Sequence, residues 1–555
     1  MQSQQASCEG VGSKPYYSWV VAFVSGMAIM GVEMSASRLM APYFGTSLTI
    51  WTAIIGSTMV ALTLGYYLGG ILAEKHPSMS LLGTLLSFAA LLVIFLPYII
   101  EIFVTTTLGQ CVQEAGAADR GASPLVLLVF SSILISTPVI VLGITSPFLI
   151  CLISLHSRSV GRISGGVFAF STLGSIIGTF LPAFFLVPTL GTRFSFLFFG
   201  VLLLGVSMWP LRRSGLVLIS LIGFFAAVLA FIMGIHGRKG GSLEYLVEER
   251  ETNYQLVRIV RAPLSTDGPA DPQHMTALLT DAGFGMQSMW VENRPYTNSW
   301  QDFWILIPRV YEVCGNGYGP KQMLLIGLGA GCIPYLVFQL YPETLIDGVE
   351  IDGGLVEAAT PYFPLRSLKN LNIHISDGRF FLRSTSKKYE VILIDAFRPP
   401  HIPPHLATAE FFEQIKQRLN LNGVMGMNVA TRGEKLVFQA IANTVASVFP
   451  YVYYAQYYSP HEPSPVYSNR FIMASTKDLS LEGAEVEERV FSLSHPQWRD
   501  ILETMREQHG FERLQRTYFR RFSFDPAAPV FTDDLSALET MSEREFLGIF
   551  KHTGK

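Results

Sequence analysis

The stretch Met323-Leu324-Leu325-Ile326-Gly327-Leu328-Gly329-Ala330-Gly331-Cys332 is an apolar, β-rich run that ends in three alternating glycines. Glycines at a strand-to-helix turn let the backbone fold tightly and approach a ligand closely. A dinucleotide fingerprint needs GxGxxG; with Cys332 in the last place the motif is GxGxG, a weak signal alone. The residues downstream give it weight. Val349-Glu350-Ile351-Asp352 ends a second run, Ser376-Asp377-Gly378 a third and Ile394-Asp395-Ala396-Phe397 a fourth. Runs at 323–327, 345–351, 371–376, 390–395, 423–429, 451–457 and 470–475 alternate with stretches of helical length. That order predicts a parallel, doubly wound α/β sheet, and the closer spacing of the last three runs predicts an antiparallel edge. Segments 243–248, 254–261 and 275–281 predict a small antiparallel β lead-in. Open α/β sheets bind ligands outside the carboxyl ends of their strands, where three successive acids converge. An acid after the second strand can accept bonds from both ribose hydroxyls. Each acid alone is equally well explained as a helix cap or turn residue; together with the glycine turn they predict a nucleoside site.

The chain has 555 residues, of which 50% are hydrophobic and only 15% charged, against roughly 25% charged in ordinary soluble proteins. That excludes a disordered or collagen-like chain and a purely soluble array of domains. Residues 1–240 hold eleven Lys/Arg and six Asp/Glu, whereas residues 241–555 hold 29 and 37. The apolar half is basic and the other half acidic, which argues against nucleic acid as a partner. Cys8, Cys111, Cys151, Cys314 and Cys332 show no CxxC spacing, so neither a zinc site nor a disulfide scaffold is indicated and no metal is expected.

Apolar runs at about 18–37, 49–73, 80–104, 124–154, 162–188, 193–210 and 214–236 predict an all-α membrane bundle of about seven spans. The resulting plan is a polar tail (1–17), a transmembrane domain (18–236), a linker with the β lead-in (237–318) and a Rossmann-like catalytic domain (319–555). Gly174 and Gly178, one turn apart, predict close helix packing. Glu33 and Arg38 lie within or at the end of the first run. A charge in hydrocarbon needs a partner, so Glu33 is expected either in an ion pair with another helix or in a substrate or headgroup site; Arg38 sits where it can snorkel. The Lys/Arg bias of the tail and loops puts the amino terminus inside. Seven crossings would then leave the acidic half outside, in conflict with the cytosolic donor argued next.

GLGAG, VEID, SDGRFFL and YEVILIDAF, in this order, resemble the spermidine synthase group of class I S-adenosylmethionine-dependent folds. Upstream, Glu251-Thr252-Asn253-Tyr254-Gln255 resembles the family's ET-x-YQ strand, and Leu279-Thr280-Asp281-Ala282-Gly283 its LDG-like strand. EMSASRLMAPYFG and GYYLGG resemble a bacterial branch in which several spans are fused ahead of that domain. The resemblance implies aminopropyl transfer from decarboxylated S-adenosylmethionine to a diamine such as putrescine. It places Gln255, Gly327, Gly329, Gly331, Glu350, Asp352, Asp377 and Gly378 around the donor and Asp395 beside the acceptor amine as base. Asp281, Tyr296, Arg398 and His405 become substrate-side candidates. An inner-membrane protein with a cytoplasmic catalytic domain, in contact with lipid and open to homodimer formation, is expected.

Three departures loosen this reading. Ala330 stands where the family has an acid for the donor's ammonium, Arg398 stands where it has a second catalytic acid, and Tyr296-Thr297 match its tyrosine motif only loosely. Intact S-adenosylmethionine is therefore an alternative donor, with a methyl or 3-amino-3-carboxypropyl group moved to a membrane-associated acceptor. A transporter or sensor with a nucleoside- or polyamine-binding domain is a third reading, supported by Glu33.

Overall fold

The computed structural model describes residues 15–44, 48–114, 124–155, 159–212, 217–235, 245–263, 274–280, 285–292, 294, 297, 299–315, 317–397, 402–431, 436–456, 468–479, 490, 520–535, 538 and 541. The chain divides into two compact units, Met1–Ser242 and Leu243–Lys555.

The first unit is all-helical. Its helices are α1 (Pro15–Phe44), α2 (Leu48–Lys75), α3 (Met79–Glu114), α4 (Pro124–Ser154), α5 (Val160–Leu190), α6 (Thr192–Leu211) and α7 (Val217–Ile235). A π turn at Pro182–Leu186 interrupts α5, where Pro182 removes a backbone donor from the ladder. Among the described residues, six of the helices are long and apolar enough to cross a membrane, whereas about seven spans were expected. The run at 214–236 forms α7, which has only 19 residues.

Small residues set the packing of this unit. A Cβ on Gly174 would lie 1.9 Å from the Phe23 carbonyl oxygen, and one on Gly178 would lie 2.1 Å from that of Met27. The α1 and α5 backbones therefore touch, as do α2 and α4 at Gly65 and Gly143. Gly174→Val is expected to abolish recovery of monodisperse protein in detergent, whereas Gly205→Ala, with open space around it, is expected to behave as wild type. Size-exclusion chromatography of a fluorescent fusion checks this; a normal Gly174→Val profile would refute the close packing.

Glu33 is buried in α1 and accepts a hydrogen bond from the Thr58 hydroxyl of α2 at 3.0 Å. Its partner among the described residues is thus a hydroxyl and not the cation anticipated for an ion pair. An ion pair joins Arg193 of α6 to Glu101 of α3, with the guanidinium 5.5 Å from the centre of the Tyr98 ring.

The second unit opens with a four-stranded antiparallel sheet: β1 (Leu246–Glu251), β2 (Leu256–Pro263), β3 (His274–Thr280) and β4 (Gly285–Val291). β4 was not anticipated, because Gly285-Met286-Gln287-Ser288-Met289 lacks the β-branched alternation of a strand. A 3-10 turn (Trp300–Ile305) and α8 (Leu306–Cys314) lead into the main sheet. Its elements are β5 (Gln322–Ile326), α9 (Cys332–Leu340), β6 (Leu345–Glu350), α10 (Gly353–Ala359), β7 (Leu371–Ile375), α11 (Gly378–Ser384), β8 (Tyr389–Ile394), α12 (Ala409–Arg418), β9 (Leu419–Thr431), α13 (Leu436–Val448), β10 (Tyr451–Gln456), β11 (Ser468–Ser475) and β12 (Arg520–Arg521).

The strand order is β7-β6-β5-β8-β9-β11-β10-β12. The first five strands are parallel, and β11 runs antiparallel to both β9 and β10. This is the class I order, with the antiparallel edge expected from the spacing. Both faces of the centre are covered. Met323, Leu325, Val391 and Leu393 enter one core, and Leu324, Ile326, Ile392 and Ile394 enter the other. The period of two therefore explains why the central strands are unbroken apolar runs. The sheet reverses direction of winding between β5 and β8, and their carboxyl ends hold Gly327 and Asp395.

Candidate active site

The turn after β5 is shaped by backbone that a side chain would obstruct. Gly327 has φ +91°, and a Cβ there would lie 2.5 Å from the Asp395 carbonyl oxygen. Gly331 has φ +75° and starts α9. Glu350 holds this turn in place. Its two carboxylate oxygens accept from the Gly329 amide at 2.9 Å and the Asp352 amide at 3.1 Å. Burial raises its pKa against those two bonds.

A cavity of about 220 Å³ opens at the strand ends, lined among others by Gln255, Gly327, Gly329, Glu350, Asp377, Gly378, Asp395 and His405. Eight of the expected residues are therefore brought to one place. Gly331 and Asp352 are not among the lining residues. Asp352 is buried and caps α10 through the Leu355 amide at 3.2 Å. Its other oxygen accepts from the Thr252 hydroxyl at 2.6 Å and the Gln255 amide nitrogen at 3.3 Å. It braces the β1–β2 turn that delivers Gln255 and Tyr254, whereas a ligand role had been expected of it. Gly331 is a turn residue for the same kind of reason, since its α carbon packs under Leu365. Asp281, Tyr296 and Arg398 lie outside the described residues. Ala330 is fully buried in the core and does not line the cavity.

Asp377 caps α11 by accepting from the Phe380 amide at 2.9 Å, and its second oxygen is 2.8 Å from Nε2 of His405. Burial alone would raise its pKa, but the Phe380 amide and His405 hold it below the usual carboxylate range. The loop that carries His405 is tied down by Arg379, a residue sequence reasoning passed over although it directly follows Asp377-Gly378. Arg379 is buried and forms a two-pronged ion pair with Asp533, both bonds 2.7 Å, while Nη1 also donates to the His405 carbonyl at 3.1 Å. Bidentate guanidinium–carboxylate pairs hold orientation as well as charge.

Asp395 opens onto the cavity but is otherwise ringed by protein. Burial pushes its pKa up to about 7, against the opposing pull of Asn428 and, next, the indole of Trp304. Asn428 donates from its amide nitrogen to Asp395 Oδ1 at 3.1 Å. Neither Asn428 nor Trp304 carries a motif in the sequence. Among the described residues that line the cavity there is no Lys or Arg. The arrangement can therefore grip a nucleoside at Glu350 and Asp377, attract a cationic tail, and accept one proton near neutral pH.

Part of the second unit is similar to known proteins. Residues 311–481 match the spermine/spermidine synthase domain. A probable polyamine aminopropyl transferase of Bifidobacterium longum is 27% identical over 275 residues, 48% of this chain and 57% of that protein. The polyamine aminopropyltransferase of Vibrio vulnificus is 36% identical over 133 residues, 23% of this chain and 44% of that protein. The human eEF1A lysine and N-terminal methyltransferase is 31% identical over 146 residues, 24% of this chain and 21% of that protein. The chain thus spans about half the length of the aminopropyltransferases it matches. Residues 311–481, which hold the class I strand order from β5 to β11, are thus similar to a spermine/spermidine synthase domain.

Proposed function

We propose that the soluble unit is a transferase that moves an aminopropyl group from decarboxylated S-adenosylmethionine to an amine, with a diamine such as putrescine as the first acceptor to test. The observation that carries this is Asp395 at the end of β8, facing a cavity whose other carboxylates are already engaged: Glu350 by the Gly329 and Asp352 amides, Asp377 by the Phe380 amide and His405. The reaction is an in-line displacement at the carbon next to a sulfonium. The attacking amine needs a free lone pair, and Asp395 takes its proton as the carbon–nitrogen bond forms and the carbon–sulfur bond breaks. Methylthioadenosine leaves. The remaining acceleration is positioning of two bound reactants. Carboxylates at the cavity, with no Lys or Arg among the described lining residues, suit a doubly cationic donor better than one carrying a carboxylate.

The methyltransferase relative favours a second reading, in which intact S-adenosylmethionine donates a methyl or 3-amino-3-carboxypropyl group. We also assign the protein to a bacterial inner membrane with the soluble unit on the cytoplasmic side. Six candidate spans among the described residues, an even number, together with the Lys/Arg bias support an amino terminus and a second unit on that same side. One experiment tests all of this: each donor is added separately, with putrescine, to inverted membrane vesicles and to right-side-out spheroplasts. Methylthioadenosine is expected from the decarboxylated donor, in inverted vesicles only. S-adenosylhomocysteine, or methylthioadenosine from the intact donor, would establish the second reading instead. Turnover of external donor by sealed spheroplasts would reverse the orientation.

A further inference from the structure

Asn428 lies on β9 between Met427 and Val429, both buried, and is itself 5% exposed. A branched apolar residue would fill such a place in a covered parallel sheet without the cost of desolvating an amide. The amide has one polar tie, the 3.1 Å bond from its nitrogen to Asp395 Oδ1. Its own oxygen is buried without a hydrogen-bond partner. A buried amide left half-satisfied calls for an explanation, and Asp395 is the group it serves.

The other groups around Asp395 leave it no charged partner among the described residues. Tyr254, Cys332, Glu350, Asp377 and His405 are the titratable groups that line the same cavity. From β11, Arg470 flanks Phe471, the cross-strand partner of Asn428, and packs its guanidinium 5.3 Å from the Phe438 ring. The Trp304 indole N–H, buried and outside hydrogen-bond geometry, is the second neutral polar group near the carboxylate. Neutral donors stabilise the charged carboxylate, but less than a cation would.

We propose that Asn428 is the positioning residue of Asp395: it ties down one carboxylate oxygen, leaves the other for the acceptor nitrogen, and sets the pH at which the site becomes active. The inference rests on Asp395 as the group that takes the acceptor's proton. Without the amide the carboxylate is unsupported on that side, holds its proton to higher pH, and rotates.

Titration of Asp395 is readable without turnover. In pH-difference infrared spectra of the full-length protein, the carboxyl band that is lost in Asp395→Asn belongs to it. Asn428→Leu, similar in size and unable to donate, is expected to move the midpoint of that band up by about one pH unit. Asn428→Gln, which keeps the donor, is expected to move it back toward wild type. In turnover, the acid limb of kcat/KM should shift with the band, with donor affinity unchanged within about twofold. An unchanged midpoint in Asn428→Leu overturns the proposal, and Asn428→Ala is read in the same way where the leucine variant does not fold. A shifted midpoint in a protein that transfers no amine would sink the proposed function and the acceptor role of Asp395, and leave Asn428 as the group that sets the carboxylate's proton affinity.

Discussion

Asp395→Asn is expected to lower kcat for amine transfer by about 10²–10⁴-fold, the range for removal of a general base, with donor affinity held within about twofold. The reason is the pKa of about 7 that burial confers on Asp395, which matches the base to neutral conditions. In the wild-type enzyme the rate should fall about tenfold per pH unit below that value, because a protonated carboxyl accepts no further proton. The same variant should gain stability at high pH. The folded pKa lies above the roughly 3.9 of an unfolded Asp, so the folded state binds more protons between those values and stability falls as pH rises through them. The cost is complete above pH 7 and reaches about 4 kcal/mol. Thermal melts at pH 8 should place Asp395→Asn above wild type, with the difference shrinking toward pH 4. Equal turnover in the two proteins would remove Asp395 from the mechanism.

Glu350→Ala is expected to weaken binding of methylthioadenosine on the order of a hundredfold. Two effects add. Bonds from ribose hydroxyls to a carboxylate contribute roughly 1.5–3 kcal/mol each. The Gly329 and Asp352 amides also lose their acceptor, so the glycine turn is no longer held against β6. Asp352→Asn should cost less than Glu350→Ala, since the side chain of Asp352 braces Thr252 and Gln255 and does not line the cavity. Isothermal calorimetry with methylthioadenosine ranks the two variants. An affinity in Glu350→Ala within threefold of wild type, or a larger loss in Asp352→Asn, would contradict this division of roles.

That division was not legible in the sequence. Glu350 and Asp352 are two residues apart at a strand end, where a period of two assigns both to one side. The chain leaves the strand between them, and Asp352 turns to cap α10. A similar limit applies to the glycine turn. GLGAG announces a tight approach, yet Ala330, which the resemblance puts opposite the donor's tail, is packed in the core. The cavity wall on that side includes Gln287 and Ser288 of β4, a strand whose residues lack β-branched alternation. Arg379 was visible beside Asp377-Gly378, but its partner Asp533 is 154 residues away, and no local pattern joins them.

Sequence alone determined the layered architecture. Strand-length apolar runs separated by helical stretches leave few other ways to bury both sheet faces, and acids that close successive parallel strands must meet at one edge. It also determined that the first half is a bundle of long apolar helices, since such composition has no stable solvated alternative. The tertiary structure decided which helices of the first unit touch backbone to backbone, and which acids face the cavity and which brace it. It also decided that Asp395 sits among neutral donors. Those outcomes depend on side-chain direction and on contacts between residues far apart in the chain. A proton affinity is set by what surrounds a carboxylate in space: Asn428, 33 residues on, and Trp304, which precedes the sheet altogether.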